Sequence, residues 1–142
     1  MVWPKPTTLS LHNVRLEPLS KDHLDDLIEA VKDGKLYNHW YATILEPKDM
    51  NAEINRRLDL QNKKSMLPFA VISMRNNKAV GMTTCMNVDR DNKRVEIGSI
   101  WYAKSVQRTS LNTKCKLMLL EHAFEKFLYL CRISDTLYES SK

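Results

Sequence analysis

Arg94-Val95-Glu96-Ile97-Gly98-Ser99-Ile100-Trp101-Tyr102, followed after a short connection by Gln107-Arg108-Thr109-Ser110-Leu111-Asn112-Thr113-Lys114-Cys115-Lys116, is the most informative stretch of this chain. Its first part is rich in β-branched and aromatic residues, which predicts a strand, and Gly98 inside it hints at a bulge or a close backbone approach. Its second part opens a long helix, from about Leu111 to Leu128. Cys115, Met118, Leu119, His122, Ala123, Phe124 and Phe127 are too numerous for one narrow apolar stripe, so this helix is expected to be largely buried. A loop feeding a helix start leaves about four backbone N–H groups without intrahelical partners, with the helix dipole behind them. Two readings follow. The junction is an anion site dressed by the side chains of Gln107, Arg108, Thr109 and Ser110, or it is a helix capped by Thr109 or Ser110 and nothing more.

Working upstream, Leu67 to Met74 is a nearly continuous apolar run and Asn76-Asn77 reads as a turn. Ala79 to Val88, which contains Gly81, is a second run, and Asp89-Arg90-Asp91-Asn92 a second turn. With the strand at 94–102 these runs predict a three-strand antiparallel meander. Thr8 to Leu19 alternates apolar and polar residues and reads as one strand ending near Pro18. Ser20 is placed to cap a helix in which Leu24, Leu27, Ile28 and Val31 share a face, closed by Asp33-Gly34. Pro47 opens a second helix with Met50, Ile54 and Leu58 on one side. The aromatic-rich connection containing Trp40 and Tyr41 either plugs the core or lines a pocket. Strand, two helices, meander and buried helix define an α+β layer structure in one domain spanning 1–142.

Composition narrows the classes. The chain has 142 residues, of which 43% are hydrophobic and 27% charged, enough for one core. No apolar run approaches the roughly 18–20 residues needed to cross a bilayer, and the first residues lack a secretory signal, so a cytoplasmic protein without membrane association is expected. Cys85, Cys115 and Cys131 stand far apart and read as free thiols. With His12, His23, His39 and His122 unclustered as well, no metal site is expected. The net charge is +5, but Arg56, Arg57 and Asp59, or Lys63 and Lys64, read as a solvated surface, and no nucleic-acid motif is present. A mildly positive field also suits an anionic cofactor.

Val95 to Tyr102 followed by Gln107 to Lys116 resembles the acetyl-coenzyme A motif of the GNAT acetyltransferases, in particular the branch of the ribosomal-protein N-terminal acetyltransferases. Val14-Arg15-Leu16-Glu17-Pro18-Leu19 with His23, and Leu119-Leu120-Glu121-His122-Ala123-Phe124-Glu125, resemble the same branch. The resemblance covers roughly residues 8–130. It implies a mixed, mainly antiparallel sheet with flanking helices and acetyl-coenzyme A as co-substrate. The acceptor would be a primary amine, either a protein N-terminus or a small molecule. Ile100, Trp101 and Tyr102 would hold the pantetheine arm through their main chain. Amides from Gln107, Arg108, Thr109, Ser110, Leu111, Asn112 and Thr113 would cradle the pyrophosphate. Glu96 would be the general base, although on residue type alone it could equally face solvent or pair with Arg94. Trp40, Tyr41, Met66 and Met86 would border the acceptor pocket, each with core packing as its alternative.

The sequence departs from the pattern in two places. Ser110 stands where the family usually has Gly, and any positive φ there would add roughly 1 kcal/mol of strain. From 131 to 142 the tail does not resemble the family, whose domain continues with a strand, a helix and further strands. The expectation is a truncated GNAT domain, shortened by a frameshift, with its usual Tyr general acid missing and apolar surface uncovered. An inactive remnant that binds coenzyme A or associates with itself is the alternative to an active enzyme.

Overall fold

The structure is a computed structural model that describes residues 6–33, 46–125 and 129–133. Its centre is the expected meander: β3 (Met66–Ser73), β4 (Lys78–Asp89) and β5 (Arg94–Tyr102), paired antiparallel in sequence order. Both faces of these strands are covered. Leu67, Phe69, Val71, Met82, Cys85 and Ile97 are fully buried, as unbroken apolar runs demand.

The opening segment differs from the single strand read from sequence. It folds as a hairpin, β1 (Leu9–Leu11) and β2 (Val14–Pro18), with Leu11 opposite Val14. His12, at φ 54°, supplies the positive φ of the two-residue connection. The apolar positions shift from odd (Leu9, Leu11) to even (Val14, Leu16) across the turn, a one-residue change of phase that marks the reversal. β2 then pairs with β3.

Ser20 caps as expected. Its hydroxyl accepts from the Asp22 amide at 3.3 Å, and its own amide donates to His23 Nδ1 at 3.1 Å. A 3-10 turn at Lys21–His23 leads into α1 (Leu24–Lys32). His23 Nε2 lies 2.9 Å from Glu17 Oε1, and Arg15 Nε donates to Glu17 Oε2 at 2.7 Å, so this cluster fixes α1 to the end of β2. The His23 hydrogen bond holds the Glu17 carboxyl below its ordinary pKa, with partial burial opposing and Arg15 helping. A 3-10 turn at Pro47–Asp49 opens α2 (Met50–Asn62), which buries Met50 and Ile54 as predicted. Gly34 of the expected α1 terminus lies outside the described residues.

α1 packs on β4 and α2 on β3, while α3 (Leu111–Leu120) packs on β1 and β2. α3 passes at Leu120 into a π-helical stretch, Glu121–Glu125, and the expected helix end at Leu128 lies outside the described residues. Its burial is one-sided: Cys115, Leu119 and Ala123 face inward, whereas Leu117 is 54% and Phe124 46% exposed. The expectation that Phe124 is buried is corrected here, and Phe127 lies outside the described residues. After α3 comes β6 (Leu130–Ile133), parallel to β5, inside the stretch that reads as an atypical tail. The order β1-β2-β3-β4-β5-β6 makes one six-stranded mixed sheet. No helix among the described residues is long and apolar enough to cross a membrane.

Gly81 is the tightest point. A Cβ there would overlap the Trp101 carbonyl oxygen and press on the Tyr102 ring. Gly81→Ala should therefore destabilise the fold by about 2–3 kcal/mol, read as a lower urea midpoint at unchanged m-value. Because the Glu17 pKa is lowered on folding, its contribution is present above the unfolded-state pKa. It is lost as pH falls through the folded value. Glu17→Gln should flatten the acid limb of a stability–pH curve relative to wild type while lowering stability at neutral pH.

Candidate functional site

β5 carries both the pairing with β6 and the junction with α3. β6 pairs with its first half only, from Arg94↔Leu130 to Ile97↔Ile133 among the described residues. Immediately beyond, the β4–β5 register shifts: Thr84 faces Gly98 and Met82 faces Trp101, so Thr83 alone opposes both Ser99 and Ile100. This is a bulge, with Ser99 at φ 50°. Bulges bend a strand and raise its twist. After the bulge, the Ala103 amide donates to the Val80 carbonyl at 2.7 Å. Alternation along the strand then directs the main chain of Ile100 and Tyr102 away from β4, toward the edge that β6 pairs further back, from Arg94 to Ile97.

The side chains of Ile100, Trp101 and Tyr102 are all buried. The Tyr102 hydroxyl donates to Asn112 Oδ1 at 2.8 Å, joining the end of β5 to the start of α3. Asn112 is thus turned into the core. The same hydroxyl counters, without overcoming, the burial that pushes the Cys115 thiol up to about 12. Burial also pushes the Cys85 thiol up, so neither supplies a thiolate near neutral pH.

The loop from 103 to 110 modifies the expected cradle. The Gln107 amide already donates to the Lys104 carbonyl at 3.2 Å, and its side-chain Nε2 donates to the Tyr102 carbonyl at 2.9 Å. Thr109 Oγ1 donates to the Val106 carbonyl at 2.6 Å and accepts from the Leu111 amide at 3.3 Å. Both alternatives read from the sequence are therefore partly realised, because Thr109 caps one of the orphan amides. Gln107 and Leu111 are corrected from amide donors to residues whose amides have protein acceptors. Ser110 has φ −73°, so the strain anticipated there is absent. The left-handed residue is Arg108, at φ 60° and exposed, a conformation that costs about 1–2 kcal/mol for a residue with a Cβ. The Ser105 amide donates to Asp33 Oδ2 at 3.0 Å, and Lys114 Nζ donates to Asn13 Oδ1 at 2.9 Å. These contacts tether the loop to α1 and the helix start to the first hairpin.

Directly opposed residues in antiparallel strands share a face. Met66↔Met86 and Met86↔Glu96 therefore form one row across β3, β4 and β5. Glu96 is half-buried and its Oε1 accepts from Asn87 Nδ2 at 3.1 Å. Ser99 Oγ donates to Met86 Sδ at 3.3 Å. The structure thus brings three of the named residues together; Trp40 and Tyr41 lie outside the described residues. Among the described residues, no group of three or more His, Cys, Asp or Glu side chains is placed to hold a metal ion.

The sequence reading missed Arg57, which it assigned to a solvated basic surface. Arg57 is 5% exposed. Its Nε donates to Glu53 Oε2 at 2.7 Å, and its Nη1 donates to Thr84 Oγ1 at 2.8 Å and to the Ser99 carbonyl at 3.2 Å. Burial pushes the Glu53 carboxyl up, but the hydrogen bonds and charges of Arg56 and Arg57 outweigh this and hold it below its ordinary value. The signal was available in the spacing, since position 57 follows Ile54 by three residues and shares its buried face.

Residues 13–137 match the family model described as an acetyltransferase (GNAT) domain. The chain belongs to the GNAT acetyltransferase family. Among solved structures it is similar to a GCN5-related N-acetyltransferase from Brucella melitensis, at 28% identity and TM-score 0.74, covering 89% of this chain and 58% of that protein. An acetyltransferase from Salmonella typhimurium that modifies the N-terminal serine of a 50S ribosomal subunit protein shares the fold at 14% identity and TM-score 0.70, covering 84% and 68%. A ribosomal-protein α-N-acetyltransferase in complex with coenzyme A does so at 14% identity and TM-score 0.71, covering 87% and 71%. The chain therefore spans less than two thirds of the length of the first of these. No curated protein sequence matches it.

Proposed function

We propose that this chain binds acetyl-coenzyme A along the second half of β5 and transfers the acetyl group to a primary amine. The acceptor class that the neighbours suggest is a protein N-terminus, with a small amine as the other candidate. The observation that carries the reading is the bulge at Ser99, beyond which the main chain of Ile100 and Tyr102 turns away from β4 as β5 runs on to the start of α3.

Ile100 and Tyr102 direct main-chain groups away from β4, as the amides of a pantetheine arm require, with the Tyr102 carbonyl also held by Gln107 Nε2. Further on, Arg108, Thr109, Ser110, Asn112 and Thr113 surround the helix start, where the dipole and the exposed Arg108 guanidinium favour a diphosphate. Gln107 and Leu111 serve this site by shaping the loop instead of donating amides. In the transfer, a neutral amine attacks the thioester carbonyl, the C–S bond breaks, and the nitrogen gives up a proton. Glu96 takes that proton directly or through a water, with Met66, Met86, Trp40 and Tyr41 bordering the acceptor.

Calorimetric titration with coenzyme A tests the binding half. Arg108→Glu should weaken the wild-type affinity by at least about 10-fold, and a folded wild-type monomer that gives no binding rejects the reading. Glu96→Gln should lower kcat by about 100-fold or more with KM for acetyl-coenzyme A nearly unchanged.

A second reading, an inactive remnant that self-associates, is favoured by one feature. Leu117, Phe124 and Leu130, the last 61% exposed, border a groove of about 1100 Å³ between α3 and β1. Sedimentation velocity decides it: Phe124→Lys should shift a dimer to monomer, and a wild type that is monomeric throughout refutes it.

A further inference from the structure

We infer that Arg57 is a positioning residue for acyl-coenzyme A, acting through the bulge in β5 and not through contact with the ligand. The inference rests on the proposed binding mode above. The bulge puts Ser99, a residue with a Cβ, into the left-handed region at φ 50°, a conformation it adopts only where surroundings impose it. The imposing group is visible. The Ser99 carbonyl accepts from Arg57 Nη1, and the same nitrogen donates to Thr84 Oγ1 on the neighbouring strand.

One guanidinium edge therefore clamps β4 to β5 one residue before Ile100, the first of the residues whose main chain faces away from β4. Glu53 holds the opposite side of the guanidinium through Nε and neutralises its charge, so the clamp is rooted in α2. Glu53 in turn receives both Arg56 Nε and Arg56 Nη2 at 2.8 Å, which fixes the carboxylate from its exposed side.

The consequence is a specific coupling. Insertion of one residue changes which amides of β5 face β4 and which face away. If Ser99 relaxed to ordinary strand geometry, the donors and acceptors of Ile100 and Tyr102 would be re-aimed, while the strand itself could still pair. Arg57 is suited to the task because its fork reaches separated acceptors from a fixed plane; a lysine in its place offers a single rotatable point of charge.

The experiment compares coenzyme A affinity by calorimetry for wild type, Arg57→Lys, and Arg57→Lys combined with Ser99→Gly. Glycine adopts the left-handed conformation without help. Arg57→Lys should weaken binding about 10-fold, and adding Ser99→Gly should recover most of that loss even if thermal stability stays low. Folded Arg57→Lys that binds like wild type overturns the inference. So does a loss that Ser99→Gly leaves untouched, since Arg57 would then matter for packing alone. Should Arg57→Lys fail to fold, Thr84→Val takes its place, removing one side of the clamp at constant volume, and the same two outcomes decide. Wild type that binds no coenzyme A defeats the proposed function and this inference with it, whereas binding unaffected by these variants defeats only the inference.

Discussion

The antiparallel contact between β4 and β5 is the constraint on which the rest depends. At Gly81 the two strands approach so closely that the Trp101 carbonyl occupies the space a side chain would need. Two positions further along β4, Thr83 faces two residues of β5 instead of one. Tight approach on one side of the bulge and a guanidinium clamp on the other leave β5 one course through the sheet. That course determines where β6 can pair, where α3 begins, and which main-chain groups remain directed outward. A buried charged pair is a costly way to hold a backbone, because removing either partner strands the other in a low-dielectric interior. This pair lies next to the bulge, and backbone geometry is what it secures there.

Much of this architecture is legible in the sequence, for reasons that differ by element. The meander is marked by apolar runs cut at Asn76-Asn77 and Asp89–Asn92, and the three strands are separated at those marks. Ser20 and Pro47 announce helix starts because capping and a preset φ are local chemistry. The first hairpin is legible only in the change of apolar phase, since His12 carries the positive φ without any Gly or Asn-Gly signal. β6 is hidden for another reason: four residues with one arginine carry too little periodicity, and only the exposed edge of β5 recruits them into the sheet.

The site is legible in outline but not in detail. Family-like residues locate the strand–helix junction correctly, yet which amides remain directed outward depends on side chains of the loop itself. Gln107 and Thr109 spend their polar groups on neighbouring main chain, and Asn112 turns inward to Tyr102. Arg57 was misjudged because charge suggests solvent, while its position on α2 is set by a helical period that ignores charge. Gly98 marks the bulge to within a residue, since the register shift follows directly after it.

The succession of strands has a kinetic side. Three neighbours, β1–β2, β3–β4 and β4–β5, are joined by short turns, so their pairing closes small loops at little entropic cost. β5 and β6 meet only after the whole of α3 has been laid across the sheet, which is a longer closure for a contact of four residues. In an assembly of this kind the least strongly held neighbour opens first under native conditions. Among the described residues the two rim ladders, β1–β2 and β5–β6, are the shortest, so the sheet loosens from its rims and holds at its middle.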